Sequence, residues 1–238
     1  MTNLTDLFSG SSFIAPAALN APIHTEPGKN EEVIYFAAGC FWGVDKVFWN
    51  TPGVVATATG YMGGTLENPS YEDVCSGLTG HAETVRVVYS TEKTSVAQLI
   101  SLFFEIHDPT QVNRQGNDRG TQYRGAIWTS TDGQLAAALA ARDAYQEKIS
   151  EAGFGQIATE IAPASKAGQF WCAEGYHQST CLRIPTDTNA THEQGSPARS
   201  SSHLALQHPM FSVRLVRIYT RPRPQQSIVL ATGAVRYL

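Results

Sequence analysis

The sequence predicts a sandwich of the α+β or α/β class, in which helices cover a sheet. Five segments with strand character alternate with three helical segments, and this alternation is typical of layered helix-and-sheet folds. The chain has 238 residues, 42% apolar and 16% charged, with a net charge near −4. Such a composition describes one globular domain with extensions and does not indicate a nucleic-acid partner. No apolar run approaches the ~18–20 residues of a membrane span, so we expect no membrane partner.

The first half of the fold is predicted to contain three strands and one helix. The elements are a strand at residues 31–38, a helix at 41–50, and strands at 54–61 and 82–89. Pro52-Gly53 ends the helix, because proline and glycine both interrupt helical backbone. Residues 62–80 are dense in Gly, Asn, Pro and Ser, which indicates a long structured loop of the kind that often carries function.

The second half is predicted to contain two helices and two strands. The elements are a helix at residues 95–106, a strand at 122–129, a helix at 132–151 and a strand at 157–161. In the first of these helices, Leu99 and Phe103 recur at helical spacing after an N-cap at Thr94 or Ser95. Residues 107–121 form a second polar loop. The helices are therefore expected to lie against the sheet.

Composition divides the chain into three parts. Residues 1–30 are predicted to be an extension, residues 31–182 the folded domain, and residues 183–238 an atypical tail. The tail holds seven arginines and no lysine, without clustering or interleaved aromatic residues. This pattern predicts a poorly ordered segment rather than a nucleic-acid-binding arm, although residues 213–219 and 227–231 have strand character.

Cysteine usage and the N-terminal residues bear on the compartment. The first 20 residues contain Asp6 but no Lys or Arg, and Ser and Pro interrupt their apolar residues, so we expect no secretory signal and a cytoplasmic protein. The four cysteines are too few and too dispersed for a disulfide scaffold. No feature indicates an oligomer, and a monomer is the default expectation.

The pentapeptide Gly39-Cys40-Phe41-Trp42-Gly43 lies where the first strand gives way to the first helix. A cysteine in the first turn of a helix is near unpaired backbone N–H groups, which favour the thiolate. The flanking glycines allow a tight turn. The two aromatic residues offer an apolar wall, suited to a small uncharged group. We therefore expect a reactive thiol, against the alternative of a cysteine that only fills space.

Further motifs follow this pentapeptide in the sequence. They are Gly60-Tyr61-Met62-Gly63-Gly64, Asn68-Pro69-Ser70-Tyr71-Glu72-Asp73-Val74-Cys75, Thr79-Gly80-His81-Ala82-Glu83, and Gln115-Gly116-Asn117-Asp118-Arg119-Gly120-Thr121-Gln122-Tyr123-Arg124. In this order they resemble the A-type peptide methionine sulfoxide reductase family over roughly residues 33–178. The resemblance implies a two-layer α/β sandwich with a mixed sheet and a ferredoxin-like core. It also implies thiol-dependent reduction of methionine S-sulfoxide, free or protein-bound, which repairs oxidised proteins.

The resemblance assigns the reacting groups. Cys40 would attack the sulfoxide sulfur and become a sulfenic acid. Glu83 matches the family's proton donor, and a carboxyl in an aromatic-lined pocket stays protonated more readily because desolvation disfavours its charged form. Phe41 and Trp42 would hold the S-methyl group.

The resemblance also assigns groups around the sulfoxide oxygen. Tyr71 and Tyr123 match the paired tyrosines whose hydroxyls orient that oxygen. Asp118 matches the aspartate that organises water and the substrate backbone. His81 is expected to be a structural hydrogen-bonding residue and not a general base.

Recycling of the sulfenic acid requires a second thiol and an external reductant, thioredoxin or a similar protein, with no bound cofactor. Cys75 is interpreted as structural, and Cys172 and Cys181 are the candidate resolving thiols. Where the family runs Tyr-His-Gln-Gln-Tyr-Leu, this chain runs Tyr176-His177-Gln178-Ser179-Thr180-Cys181-Leu182, so the match breaks after Gln178. Our hypothesis is a reading-frame shift near codon 179, which resequencing of the coding region would test.

Three alternatives remain open from the sequence. A papain-like thiol hydrolase would need a histidine beside Cys40, with candidates His81, His107 and His177. A metal site is not expected, because Cys75, His81, Cys172 and Cys181 lack metal-ligand spacing. A protein with an altered tail would bind oxidised methionine without turnover, or would react once and not be recycled.

Overall fold

The structure, a computed structural model, describes residue 21 and residues 23–179. Within that part of the chain, the strands are β1 (Glu31–Ala38), β2 (Val54–Met62), β3 (Ala82–Ser90), β4 (Arg114–Gln115), β5 (Asp118–Arg119), β6 (Gly125–Thr129), β7 (Glu160–Pro163) and β8 (Trp171–Cys172). The helices are α1 (Phe41–Trp49), α2 (Tyr71–Cys75), α3 (Val96–Ile106), α4 (Asp132–Glu151) and α5 (Ala164–Ala167).

A mixed sheet forms the centre of the fold. Six strands follow the order β7-β6-β1-β3-β2-β8. Strand β1 is antiparallel to β3 and β6, strand β2 is antiparallel to β3 and β8, and β6 is parallel to β7. Strands β4 and β5 form a separate short hairpin. The predicted α+β class with a mixed sheet and flanking helices is confirmed.

The larger helices pack on one face of this sheet. Phe36 of β1 stacks on Phe48 of α1 and on Phe103 of α3, with ring centroids 4.6 and 5.4 Å apart. Helix α4 joins the layer where Tyr145 stacks on Phe104 at 5.1 Å. These buried aromatic contacts hold α1 against β1, so the turn between the two elements has a rigid base.

The opposite face of the sheet carries a second apolar cluster. Its buried members are Ala37, Met62, Ala82, Ala126, Trp128 and Ala167. Because successive side chains of a strand point to opposite faces, Phe36 and Ala37 belong to different layers. The chain between α5 and β8 covers this second layer through Phe170.

The predicted strands and helices between residues 31 and 161 are confirmed, with shifted ends. The strand predicted at 122–129 begins at Gly125, because Thr121–Tyr123 form a 3-10 turn. The strand predicted at 157–161 lies at Glu160–Pro163. Helices α2 and α5, strand β8 and the β4–β5 hairpin were not predicted, because they are too short to show a periodic pattern. The strand-like segments at 213–219 and 227–231 lie outside the described residues.

Candidate active site

Cys40 lies in the turn that joins β1 to α1. Gly39 precedes it with φ +91°, and a Cβ at Gly39 would come 2.7 Å from the Gln115 Cβ. Glycine is therefore required here both for its backbone angle and for close packing by the second polar loop. Cys40 is the N-cap residue of α1, and its side chain makes no capping hydrogen bond. The backbone N–H groups of Trp42 and Gly43 nevertheless act on its sulfur and lower its pKa.

The Cys40 thiol is neutral in the resting enzyme. Burial, followed by the negative charge of Glu83, raises its pKa from 9.0 to about 12. The two backbone N–H groups lower the pKa, but by less than burial raises it. The prediction that the helix start favours a thiolate is therefore wrong for the free protein, because desolvation of the sulfur outweighs the effect of the two backbone N–H groups.

Glu83 lies beside the nucleophile, on the strand next to β1. Its side chain is 2% exposed, and its Oε2 accepts a hydrogen bond of 2.9 Å from the Phe41 backbone nitrogen. Burial raises the pKa of this carboxyl to about 8, and the charge of Asp118 adds to the rise. The Phe41 N–H opposes that rise without cancelling it. The carboxyl is therefore mostly protonated near neutral pH, as an acid must be.

Tyr71 and Tyr123 reach the site from α2 and from the 3-10 turn. Burial raises the phenol pKa of both, so each keeps a proton to donate. The charge of Glu83 raises the pKa of both tyrosines further, and that of Cys40 acts on Tyr123. Asp118, on exposed β5, raises the pKa of Tyr123, Glu83 and Cys40. The fold thus brings all the predicted reacting and orienting groups into one electrostatically coupled site.

His81 holds the long loop of residues 62–80 in place. Its Nδ1 accepts a hydrogen bond from the Gly64 backbone nitrogen at 3.1 Å, and its Nε2 lies 2.8 Å from the Leu66 carbonyl oxygen. The imidazole is 1% exposed. Because backbone groups occupy both ring nitrogens, His81 is structural, as predicted.

Two residues that organise the site were not predicted in that role, Glu174 and His177. Glu174 accepts hydrogen bonds from the Tyr71 backbone nitrogen at 2.8 Å and from the Tyr61 hydroxyl at 2.9 Å. His177 accepts a hydrogen bond of 3.0 Å from the Trp42 indole nitrogen. The run Tyr176-His177-Gln178 was the available signal, but residue spacing alone did not connect it with Trp42.

Gln178 fastens this last segment to the sheet. Its side-chain amide nitrogen donates to the Thr59 and Ala173 carbonyl oxygens at 2.9 Å each, and its oxygen accepts from the Thr59 nitrogen at 2.9 Å. All three hydrogen bonds are buried. The segment that carries Glu174 and His177 is therefore held against β2 by these side-chain hydrogen bonds.

The remaining cysteines occupy different positions around the sheet. Cys75 is exposed, and its sulfur is hydrogen-bonded to the Tyr71 hydroxyl. Across the sheet, Tyr61 of β2 lies opposite Glu83 of β3 on one side and opposite Trp171 of β8 on the other, so these three side chains share one face. Cys172 follows Trp171 and lies opposite Gly60. Cys172 and Glu83 therefore point to opposite faces of the sheet. Cys181 lies outside the described residues.

Each of the three histidines of the hydrolase alternative has at least one ring nitrogen within hydrogen-bonding distance of a group other than Cys40. Backbone groups occupy His81, and the Nδ1 of His107 lies 2.7 Å from the Phe103 carbonyl oxygen. His177 binds Trp42. In residues 21 and 23–179, no group of three or more His, Cys, Asp or Glu side chains is arranged to hold a metal ion. Over the same residues, no helix is long and apolar enough to cross a bilayer.

An α+β sandwich that gathers a partly buried thiol, a protonated carboxyl and two tyrosine hydroxyls defines an enzyme of cysteine chemistry. A family model described as peptide methionine sulfoxide reductase matches residues 32–204, and the chain belongs to that family. The match extends beyond residue 178, where the recognisable motifs end.

Relatives and solved structures agree with this assignment. The peptide methionine sulfoxide reductase MsrA of Salinispora arenicola is 51% identical over 160 residues, which cover 67% of this chain and 71% of that protein. The protein of the same name from Streptomyces griseus is 56% identical over 154 residues, 65% of this chain and 69% of the relative. The structure of methionine sulfoxide reductase A of Corynebacterium diphtheriae is 40% identical, with a TM-score of 0.67 over 77% of this chain and 88% of that one.

Proposed function

We propose that this enzyme, a peptide-methionine (S)-S-oxide reductase, forms a sulfenic acid on Cys40 as it reduces methionine sulfoxide, and so repairs oxidised proteins. The observation that carries the proposal is the buried Glu83 carboxyl, which accepts the Phe41 N–H at 2.9 Å directly beside the nucleophile. Its pKa of about 8 keeps a proton available near neutral pH.

The chemistry begins with attack of the Cys40 sulfur on the substrate sulfur. A transient sulfur–sulfur bond forms while Glu83 donates its proton to the sulfoxide oxygen, and the proton that the thiol loses returns to the Glu83 carboxylate. The hydroxyl then transfers to the Cys40 sulfur: a sulfur–oxygen bond forms on Cys40, and the transient sulfur–sulfur bond and the substrate's sulfur–oxygen bond both break, which leaves a sulfenic acid. The substrate sulfur gains two electrons and leaves as the thioether, while the Cys40 sulfur loses two.

The surrounding residues supply orientation. Tyr71 and Tyr123 donate hydrogen bonds to the sulfoxide oxygen, and for this the Tyr71 hydroxyl leaves its hydrogen bond with the Cys75 sulfur. Phe41 and Trp42 border the S-methyl group. Asp118, exposed at the rim, contacts water and the substrate backbone. The family resemblance implies that the enzyme reduces the S epimer and accepts both free and protein-bound methionine sulfoxide.

Recycling proceeds through a second thiol. Its attack on the sulfenic acid gives a disulfide and water, and an external dithiol such as thioredoxin then reduces the disulfide. Cys172 and Cys181 are the candidate resolving thiols. Cys172 needs a rearrangement to reach Cys40, because it points to the sheet face opposite Glu83. A reductant of this kind operates in a reducing compartment, and we place the enzyme in the cytoplasm.

One assay tests the proposal. Purified protein is incubated with each epimer of a methionine sulfoxide substrate, with either dithiothreitol or thioredoxin as reductant. We expect loss of the S epimer alone, abolished by Cys40→Ser and retained by Cys75→Ser as the matched control. A single stoichiometric burst without turnover would instead support the recycling-defective alternative, and no loss of either epimer would refute the proposal.

A further inference from the structure

The indole of Trp42 is held by a residue 135 positions away in the sequence. The indole Nε1–H donates a hydrogen bond of 3.0 Å to Nδ1 of His177. Trp42 lies in the first turn of α1, and its side chain is only partly buried. A partly buried indole can turn about two side-chain torsions, and this hydrogen bond, together with the ring contact of 5.7 Å between Trp42 and His177, favours one orientation.

His177 is itself rigidly placed. It is 2% exposed, and its ring centroid lies 5.0 Å from that of Phe41 and 4.6 Å from that of Tyr71. Its backbone nitrogen donates to the Glu174 carbonyl oxygen at 2.9 Å. The anchor is therefore fixed by the same aromatic side chains that line the site.

The hydrogen bond also determines the tautomer of His177. A neutral imidazole that accepts at Nδ1 carries its proton on Nε2, and this nitrogen lies 4.0 Å from the Glu174 carboxylate. Burial lowers the pKa of the His177 imidazole, and the charge of Glu174 opposes this effect without cancelling it. The ring is therefore neutral, and its unprotonated Nδ1 can accept the hydrogen bond from Trp42. Glu174 is in turn bound by Tyr61 and Tyr71.

We propose that His177 is a positioning residue that sets the plane of the Trp42 indole and thereby the space available to the S-alkyl group of the substrate. This inference rests on the proposed function, in which Trp42 borders the S-methyl group. His177 does not touch the reacting atoms. It acts through Trp42, and its contribution appears in binding and in discrimination between S-methyl and S-ethyl sulfoxides.

Two substitutions of His177 test separately the hydrogen-bond acceptor and the aromatic ring of its side chain. His177→Asn keeps an acceptor oxygen near the position of Nδ1 and loses the ring, while His177→Phe keeps a ring and loses the acceptor. We expect His177→Phe to raise KM for methionine S-sulfoxide about tenfold with kcat little changed, because the hydrogen bond that holds the Trp42 indole in its binding orientation is lost. His177→Asn should rescue most of this loss.

Substrate choice provides a second measurement. Each variant is assayed with methionine S-sulfoxide and with its S-ethyl analogue, using dithiothreitol as reductant. A pocket of fixed width discriminates one methylene by about tenfold or more. We expect the wild type to do so, and we expect His177→Phe to lose most of this preference.

Trp42→Phe supplies the control background, because it has no indole N–H to position. We expect His177→Phe to have no further effect on KM in that background. The inference would be overturned if His177→Phe raised KM by the same factor in the wild-type and Trp42→Phe backgrounds. It would also be overturned if His177→Asn and His177→Phe raised KM equally. If neither His177 variant folds, the test is made with Trp42→Phe. An unchanged KM and an unchanged preference for the S-methyl substrate in that variant would refute the inference. Failure of the proposed function is distinguishable, because the wild type itself would then reduce neither sulfoxide.

Discussion

The Glu83 carboxyl oxygen lies 2.9 Å from the backbone nitrogen of Phe41, the residue that follows Cys40. This hydrogen bond joins the proposed acid to the turn that carries the nucleophile, although 42 residues separate Glu83 from Phe41. It uses one of the N–H groups that a helix start leaves unpaired. The acid is therefore held by the same backbone that places the thiol.

Replacement of Glu83 by Gln tests its role as an acid. The amide keeps an oxygen acceptor for the Phe41 N–H but has no acidic proton to give. We expect single-turnover sulfenic acid formation on Cys40 to slow by ~10²-fold or more, the usual contribution of general acid catalysis. Stopped-flow measurement of this step would contradict the assignment if Glu83→Gln stayed within about threefold of the wild type, a change far below that contribution.

The same step should depend on pH in a direction set by Glu83. The acid must be protonated to act, and its pKa is raised to about 8, so the wild-type rate should fall as the pH rises through 8. Glu83→Gln should lack this fall, because it has no proton to lose. The pH profile of the single-turnover rate measures both, and an identical profile in the two proteins would assign the fall to another group.

The Cys40 thiol should become more acidic when Glu83 is neutralised. The negative charge of Glu83 is the second cause, after burial, of the raised Cys40 pKa. At pH 9 we therefore expect faster iodoacetamide alkylation of Cys40 in Glu83→Gln than in the wild type, followed by peptide mass spectrometry. Asp118→Asn removes a weaker contribution and should give a smaller increase. Slower alkylation of Glu83→Gln would contradict this coupling.

Gln178→Ala should loosen the segment that carries Glu174 and His177. The substitution removes three buried hydrogen bonds to Thr59 and Ala173, so we expect a loss of about 2–4 kcal/mol in the free energy of unfolding. Urea denaturation measures this loss. Gln146→Ala is a matched control, because Gln146 also makes three hydrogen bonds but at the exposed end of α4, and its loss should be clearly smaller. Equal losses would show that the Gln178 contacts do not anchor the segment.

Asp45 should make stability depend on pH between about 4 and 7. Burial raises its carboxyl pKa from 3.8 to about 7, although Thr57 and the Ser179 backbone hydrogen-bond to it. The folded state therefore retains a proton that the unfolded state releases, and this stabilisation is lost as the pH rises through 7. Asp45→Asn lacks the effect, so the wild type should lose stability relative to the variant by up to about 1.4 kcal/mol per pH unit in that window. A constant difference in urea-unfolding free energy from pH 4 to 8 would contradict the raised pKa.

Much of the fold was predictable because its longer elements have local patterns. A continuous apolar run identified β1, alternation of small, β-branched and aromatic residues identified β2, and the spacing of Leu99 and Phe103 identified α3. Helix α2 and strand β8 have no such pattern, since each is too short to bury a face without its neighbours. Their formation depends on contacts with distant parts of the chain.

The candidate site likewise has features that the sequence predicts and features that depend on the folded structure. The residues around Cys40 and Glu83 are visible in the sequence, because glycine-bordered motifs mark where the chain turns and where a functional side chain follows. The protonation states of these two groups depend instead on burial, which the packing of α1, β3 and the polar loops creates. The contacts of Glu174 with Tyr61 and of His177 with Trp42 span 113 and 135 residues. Local sequence cannot specify such contacts, because they exist only once the strand order has brought these segments together.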